Sequence, residues 1–296
     1  STLRSRWRRH GPAAGTAAGP GVGRVVLWPD TFTNHFAPAV GEAAAHVLAS
    51  AGYRVDLPDE PLCCGLTWIS TGQLTTARRV LRRTVHRLAA LLEDGGPGSG
   101  GGAGRPQPGA DAGASGHGPP ERLSARDVRL VGMEPSCLAV LRHDAAGLLG
   151  DDPAVAVVAR AASTLAEVLA ATPGWAPPDL KGVEVVAQPH CHQHAVLGWE
   201  ADRELLARAG AAVRAVGGCC GLAGNFGAER GHYDVSVAVA ETALLPAVRA
   251  AGPDAVVLAD GFSCRTQLAH LANRRALHLA ELLARAQKDP AAPGPA

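Results

Sequence analysis

Val185-Val186-Ala187-Gln188-Pro189-His190-Cys191 has a counterpart earlier in the chain, Val25-Val26-Leu27-Trp28-Pro29-Asp30-Thr31. Each is a short apolar, β-branched run that stops at a proline, the pattern of a buried strand reaching its carboxyl end. Each leads into an Ala/Leu-rich helical stretch that closes on a glycine, Leu48-Ala49-Ser50-Ala51-Gly52 and Leu206-Ala207-Arg208-Ala209-Gly210. A second short strand follows, 53–57 and 212–216, and then a triplet, Cys63-Cys64-Gly65 and Cys219-Cys220-Gly221. Another helix comes next, 75–92 and 235–250. A third strand, 128–132 and 255–259, then ends in Cys137 and Cys264 at the same offset from Asp127 and Asp254. Strand–helix alternation repeated twice predicts an α/β fold of two pseudo-repeated units with mainly parallel sheets. Ligands of such sheets bind at the carboxyl ends of strands, where all the cysteines fall.

The expected organisation follows from this repeat. Residues 1–23 read as a linker or disordered segment, and 24–150 as the first repeat with a Gly/Pro-rich insertion at about 95–120. Residues 151–181 read as a connecting helix and loop, 182–287 as the second repeat, and 288–296 as a disordered tail. The chain has 296 residues, 47% hydrophobic and 19% charged, with net charge +1, so composition points to no nucleic-acid partner. No apolar run approaches the ~18 residues that would span a bilayer, and the N-terminal arginines lead into no secretory signal. Seven cysteines in a long chain without an export signal indicate a reducing compartment and metal or redox chemistry rather than a disulfide scaffold. The expected location is cytoplasmic, at most peripheral to the inner face of a membrane.

In the second half Cys191, Cys219, Cys220 and Cys264 supply four thiolates, the set a [4Fe–4S] cluster requires. Gly221 lets backbone approach without a Cβ. His190, His192 and His194 surround Cys191, and Arg230 and His232 lie in a polar run before the next helix; these are candidates for metal ligation, hydrogen bonding to sulfur, or contact with an anion. The first half has Cys63, Cys64 and Cys137, with Thr31 at the position matching Cys191. Either it holds a second cluster through three cysteines and a non-cysteine ligand such as Asp30 or His35, or it is a copy that binds nothing. Glu134 and Gly261 stand where a Cys-x-x-Cys would be completed. A structural zinc site is the rival, against which stands the preference of zinc for cysteines separated by roughly two to four residues.

The duplicated Cys…Cys-Cys-Gly…Cys pattern resembles the cysteine-rich CCG domain, which occurs in heterodisulfide reductase and in the iron–sulfur subunit of glycolate oxidase. The runs LWPDTFTNHF, PLCCG, MEPSC, HCHQHAVLG, CCGLAGNFG, ERGHYDVS, ADGFSCR and RRALHLAELL look most like the C-terminal iron–sulfur region of bacterial FAD-linked oxidases of the D-lactate dehydrogenase type. The resemblance implies cluster ligation by Cys191, Cys219, Cys220 and Cys264, and by Cys63, Cys64 and Cys137. It implies FAD on a partner or an upstream domain rather than on this chain, and electrons passed to a quinone or redox protein. The chain would then be the electron-transfer part of an oxidoreductase, with no catalytic residue of its own. Thr31, Glu134 and Gly261 depart from the fuller cysteine pattern. The alternatives are a cluster-based thiol or disulfide reductase, and a zinc-binding or metal-free docking domain.

Overall fold

The computed structural model describes residues 1–10, 22–93 and 128–288. The expected insertion at about 95–120 and the expected tail beyond Lys288 lie outside them. Strands β1 (Gly23–Trp28), β2 (Tyr53–Asp56), β3 (Arg129–Gly132) and β4 (Ala162–Ser163) form one sheet in the order β2-β1-β3-β4. Strands β5 (Glu184–Ala187), β6 (Ala212–Ala215) and β7 (Val256–Leu258) form a second in the order β6-β5-β7. Every pairing is parallel, as helical crossovers between consecutive strands require. The fold is α/β.

Register makes the repeat concrete. Val25 of β1 pairs with Val55 and Arg129, and Val185 of β5 pairs with Val213 and Val256. The first strand of each half is therefore central, flanked by the second and third. Strand order reverses there, so loops leave in opposite directions and open a crevice at the carboxyl ends. Residues 25–28 of β1 and 185–187 of β5 are all buried, which accounts for runs without polar alternation.

The halves are interlocked. Val25, Leu27, Val185 and Ala187 share one apolar core with Leu279, Leu282 and Leu283. The last three lie on the C-terminal helix Leu279–Lys288, which packs against helix Pro38–Ser50 of the first half, with Gln287 Nε2 donating to Ser50 Oγ at 2.8 Å. The second sheet is less covered, since the β6 side chains are mostly exposed.

Three features differ from the sequence reading. Residues Leu3–His10, expected to be loose, form a helix. Leu3 is fully buried against Gly41, where a Cβ would lie 2.2 Å from its Cδ2, and Arg6 pairs with Glu42 at 3.1 Å. Two apolar residues, Leu3 and Trp7, in an arginine-dominated octet are too weak a period to read locally. Ala162–Ser163, expected within a connecting segment, adds an edge strand beside β3. The single helix expected over 235–250 is two, Tyr233–Thr242 and Leu244–Ala250, broken at Ala243 with φ −147°. No described helix is long and apolar enough to cross a membrane.

Candidate metal centres

The residues that close each central strand also shape its cysteine loop. Trp28 and Gln188 both precede a proline. Trp28 Nε1 donates to Leu62 O at 3.0 Å, the carbonyl before Cys63. Gln188 Nε2 donates to Gly218 O at 2.9 Å, the carbonyl before Cys219. Two unlike side chains thus do the same job, so sequence comparison of the halves gives no hint of it. Next in line, Asp30 and His190 both cap the helix that follows. Asp30 Oδ1 accepts from Phe32 N at 2.8 Å and Thr33 N at 3.0 Å, and His190 Nδ1 accepts from His192 N at 3.1 Å. That bond places the His190 proton on Nε2.

The triplets themselves are alike. Gly65 N donates to Cys63 Sγ at 3.4 Å, and Gly221 N donates to Cys219 Sγ at 3.3 Å. Both glycines are left-handed, at φ +82° and +88°, which turns their N–H groups back onto sulfur.

In the second half the four thiols meet in a row. Cys191 lies against Cys219, Cys219 against Cys220, and Cys220 against Cys264, each close enough to shift its neighbour's proton affinity. Cys191 is exposed, Cys219 half-buried, and Cys220 and Cys264 buried. The row favours one negative charge, on Cys219, whose thiol is pulled down by hydrogen bonds from Cys191 and Cys220 and by the Gly221 N–H. Cys191 and Cys220 are pushed up, foremost by Cys219, then for Cys220 by Cys264, and for both by burial. A full set of thiolates there requires a compensating cation. His190 and His192 flank Cys191, with Nδ1 of each 3.7 Å from Sγ, and the three ligand atoms lie within 4.8 Å of one another. Burial pushes the His190 imidazole down to about 4, so it is neutral.

The other expected polar residues stand elsewhere. His194 is exposed and makes no hydrogen bond to a cysteine. His232 stacks on Phe226 at 4.2 Å and pairs with Glu229 at 3.3 Å, stabilising its own loop. Arg230 is exposed on that loop. Gly261, where a cysteine would complete Cys-x-x-Cys, has no room for one: a Cβ would lie 2.2 Å from His190 Cδ2.

In the first half Cys64 Sγ and Cys137 Sγ are 3.0 Å apart and buried. Cys63 is half-buried; the Thr31 side chain lies beside its thiol, and Thr84 Oγ1 donates to its carbonyl at 2.7 Å. Thr31 thus reaches the place that Cys191 takes in the second half. Asp30 is not free to bind metal, because both its oxygens hold Thr33 and the cap. All three thiols are pushed up. For Cys63 and Cys64 the hydrogen bond to the next cysteine in line dominates, Cys64 and Cys137 respectively. For Cys137 the Cys64 bond pulls down, but burial and the Asp30 and Glu134 carboxylates together raise it to about 12.

Glu134 joins the halves. Its Oε1 accepts from Ser136 Oγ at 2.9 Å, and its Oε2 accepts from Phe262 N at 2.7 Å, the start of the helix that carries Cys264. Phe262 stacks on Phe32 at 5.1 Å, and Arg265, beside His190, also reaches Asp30 across the junction. Burial and Asp30 push Glu134 up to about 7 from 4.5. The unfolded chain therefore releases this proton first, and stability falls as pH rises through that window. Glu134→Gln keeps the acceptor and removes the titration. Its stability relative to wild type should rise between about pH 4.5 and 7, by on the order of 2–3 kcal/mol, and level off above. Urea unfolding of the metal-free protein across pH checks this, and a flat difference would refute it.

Residues 30–94 match the cysteine-rich domain CCG. The CCG match opens on Asp30, takes in Cys63-Cys64-Gly65, and runs through helix Leu74–Glu93. It falls on the half that carries Thr31 in place of a fourth cysteine. One subunit of the fumarate reductase (CoM/CoB) of Methanothermobacter marburgensis is 34% identical over 65 residues, which is 22% of this chain and 13% of that protein. The chain's similarity thus spans a small part of that relative's length. The second half is tied to the CCG segment by the internal repeat, through shared register, glycine conformation and N–H···S bonds.

Proposed function

We propose that this chain is an iron–sulfur electron-transfer module in which Cys191, Cys219, Cys220 and Cys264 hold one [4Fe–4S] cluster. The observation that carries the reading is the convergence of four thiols from three separate strand-end loops of one sheet. The donor set fits the group: sulfur ligands, an N–H bond to Cys219, and a neutral His190 beside Cys191. When bound, the cluster supplies a one-electron carrier. The protein's part is to hold the thiols at the sheet edge, shield Cys220 and Cys264, and aim N–H groups at sulfur. By analogy with its relative, one subunit of a reductase, the chain works with partner subunits. We assign the electron donor to a flavin protein oxidising a small 2-hydroxy acid such as lactate or glycolate, and the acceptor to a quinone or redox protein.

The test is iron and acid-labile sulfide per chain on anaerobically prepared protein, with an EPR spectrum after dithionite reduction. About four of each is expected from one cluster, and about eight if the first half is also loaded. Colourless protein holding zinc, through the close His190, Cys191 and His192 donors, would replace the reading with a docking domain.

A second reading, thiol–disulfide chemistry in the first half, is favoured by the 3.0 Å contact of Cys64 and Cys137 beside half-buried Cys63. Reduction of a small disulfide by this chain, abolished by Cys63→Ser, would support it.

A further inference from the structure

Helix Leu74–Glu93 buries Ala77, Leu81, Val85 and Leu88 and turns Arg78, Arg79, Arg82, Arg83, His86 and Arg87 outward. Arginines three and four apart on a helix face one another and repel. Two carboxylates answer them among the described residues: Glu60 is held by Arg83 and Arg87, and Asp152 by His86 at 2.8 Å. Arg79 and Arg82 have no carboxylate within ion-pair distance among those residues. With a net charge of only +1 for the whole chain, this face is a concentrated local excess.

The inner side of the same helix supports the first-half cysteines. Thr84 bonds the Cys63 carbonyl, and Gly65 sits on the Ala77 backbone, 3.5 Å from its oxygen to an added Cβ. A molecule seated on the arginines is thus separated from Cys63 and Cys64 by about one helix diameter, ~10 Å.

We propose that this arginine face is the docking surface for an acidic protein, the partner that the electron-transfer reading calls for and on which this inference rests. The patch is short, ~14 Å from Arg78 to Arg87, and rimmed by Glu60 and Asp152. The chain's pI of about 7.7 is unlike that of nucleic-acid binders. Arginine forks match carboxylates in pairs, and such a face steers a partner of opposite charge.

The test uses the full chain and a recombinant acidic [2Fe–2S] ferredoxin as the probe, with affinity measured by calorimetry at low and high salt. Iron content is measured in parallel. Binding at low salt, weakened about tenfold or more by Arg79→Glu with Arg82→Glu and with a shallower salt dependence, is the expected result. Arg203→Glu, on the second half, should leave it unchanged. Affinity untouched by the double reversal, or absent at low salt, overturns the proposal. Reversal-sensitive binding to phosphatidylglycerol vesicles or duplex DNA, but not to ferredoxin, also overturns it. Binding by a chain that holds no iron after reconstitution would keep the acidic docking face and retire electron transfer, so the two failures are distinguishable.

Discussion

Cys264→Ser should strip the second-half centre of its iron while leaving the fold intact. Cys264 is 2% exposed and sits in the first turn of helix Phe262–Ala272. It touches Cys220 and lies at the far end of the row from exposed Cys191. Serine is nearly isosteric with cysteine, but its hard, weakly acidic oxygen is a poor ligand for a soft cluster. Iron in that half should fall from about four to below about one per chain, with the visible absorption lost. The unfolding midpoint of the metal-free protein should shift by no more than ~1–2 kcal/mol, the cost of one buried hydroxyl with a weak partner. Cys219→Ser removes the thiol that its surroundings most favour as thiolate and should behave the same way. Cys63→Ser should leave the second-half iron in place. Full iron retention in Cys264→Ser would remove this residue from the ligand set.

Gly221→Ala should be far more damaging than its repeat counterpart Gly65→Ala. Both positions have positive φ, +88° and +82°, which costs a non-glycine residue roughly 1–3 kcal/mol. The surroundings separate them. At Gly65 the nearest atom to an added Cβ is Ala77 O at 3.5 Å, an ordinary contact. At Gly221 it is Ser236 O at 2.1 Å, with Ser236 C at 3.0 Å, both backbone. Ser236 is pinned by Gln267 Nε2 at 2.9 Å and by its own N–H to His232 O at 2.9 Å. To admit a methyl group, either helix Tyr233–Thr242 shifts or the triplet loop does, and the loop carries Cys219 and Cys220. The expected loss is above roughly 3 kcal/mol for Gly221→Ala against about 1–2 for Gly65→Ala. Urea unfolding of both metal-free variants measures it. Iron loading should fall in the first variant even below its unfolding midpoint, because the N–H bond to Cys219 moves with the loop. Equal losses would mean that the φ angle alone decides and that the Ser236 approach is relieved at no cost.

Much of this architecture was legible from residue order. The runs at 25–28 and 185–187 are apolar because both faces of a central parallel strand are buried, so they read as strands without alternation. The glycine of each Cys-Cys-Gly triplet read as a place of close backbone approach, and the structure adds that both are left-handed. The equivalence of Thr31 and Cys191 followed from spacing, and the strand registers reproduce it. These are local features, set by side-chain period, β-branching and the freedom of glycine.

Residue order was silent where unlike side chains share a role or where distant segments meet. Trp28 and Gln188 hold the two cysteine loops by the same kind of bond, yet share no chemistry beyond an N–H. His190, His192 and His194 look equivalent in the chain. The helix start that follows Pro189 turns two toward Cys191 and leaves the third in solvent, a difference set by where each falls on the helical turn. Gly261 reads as a missing cysteine but is the space that His190 occupies. Glu134 reads as another, but is the carboxylate that fastens one half to the other across 128 residues. The chain by itself determined the repeat, the parallel strands and the candidate ligands, because these follow from short-range period and conformation. Only the tertiary structure decided which thiols touch, which polar groups reach them and how the halves lock, because those depend on close packing between segments that no local pattern connects.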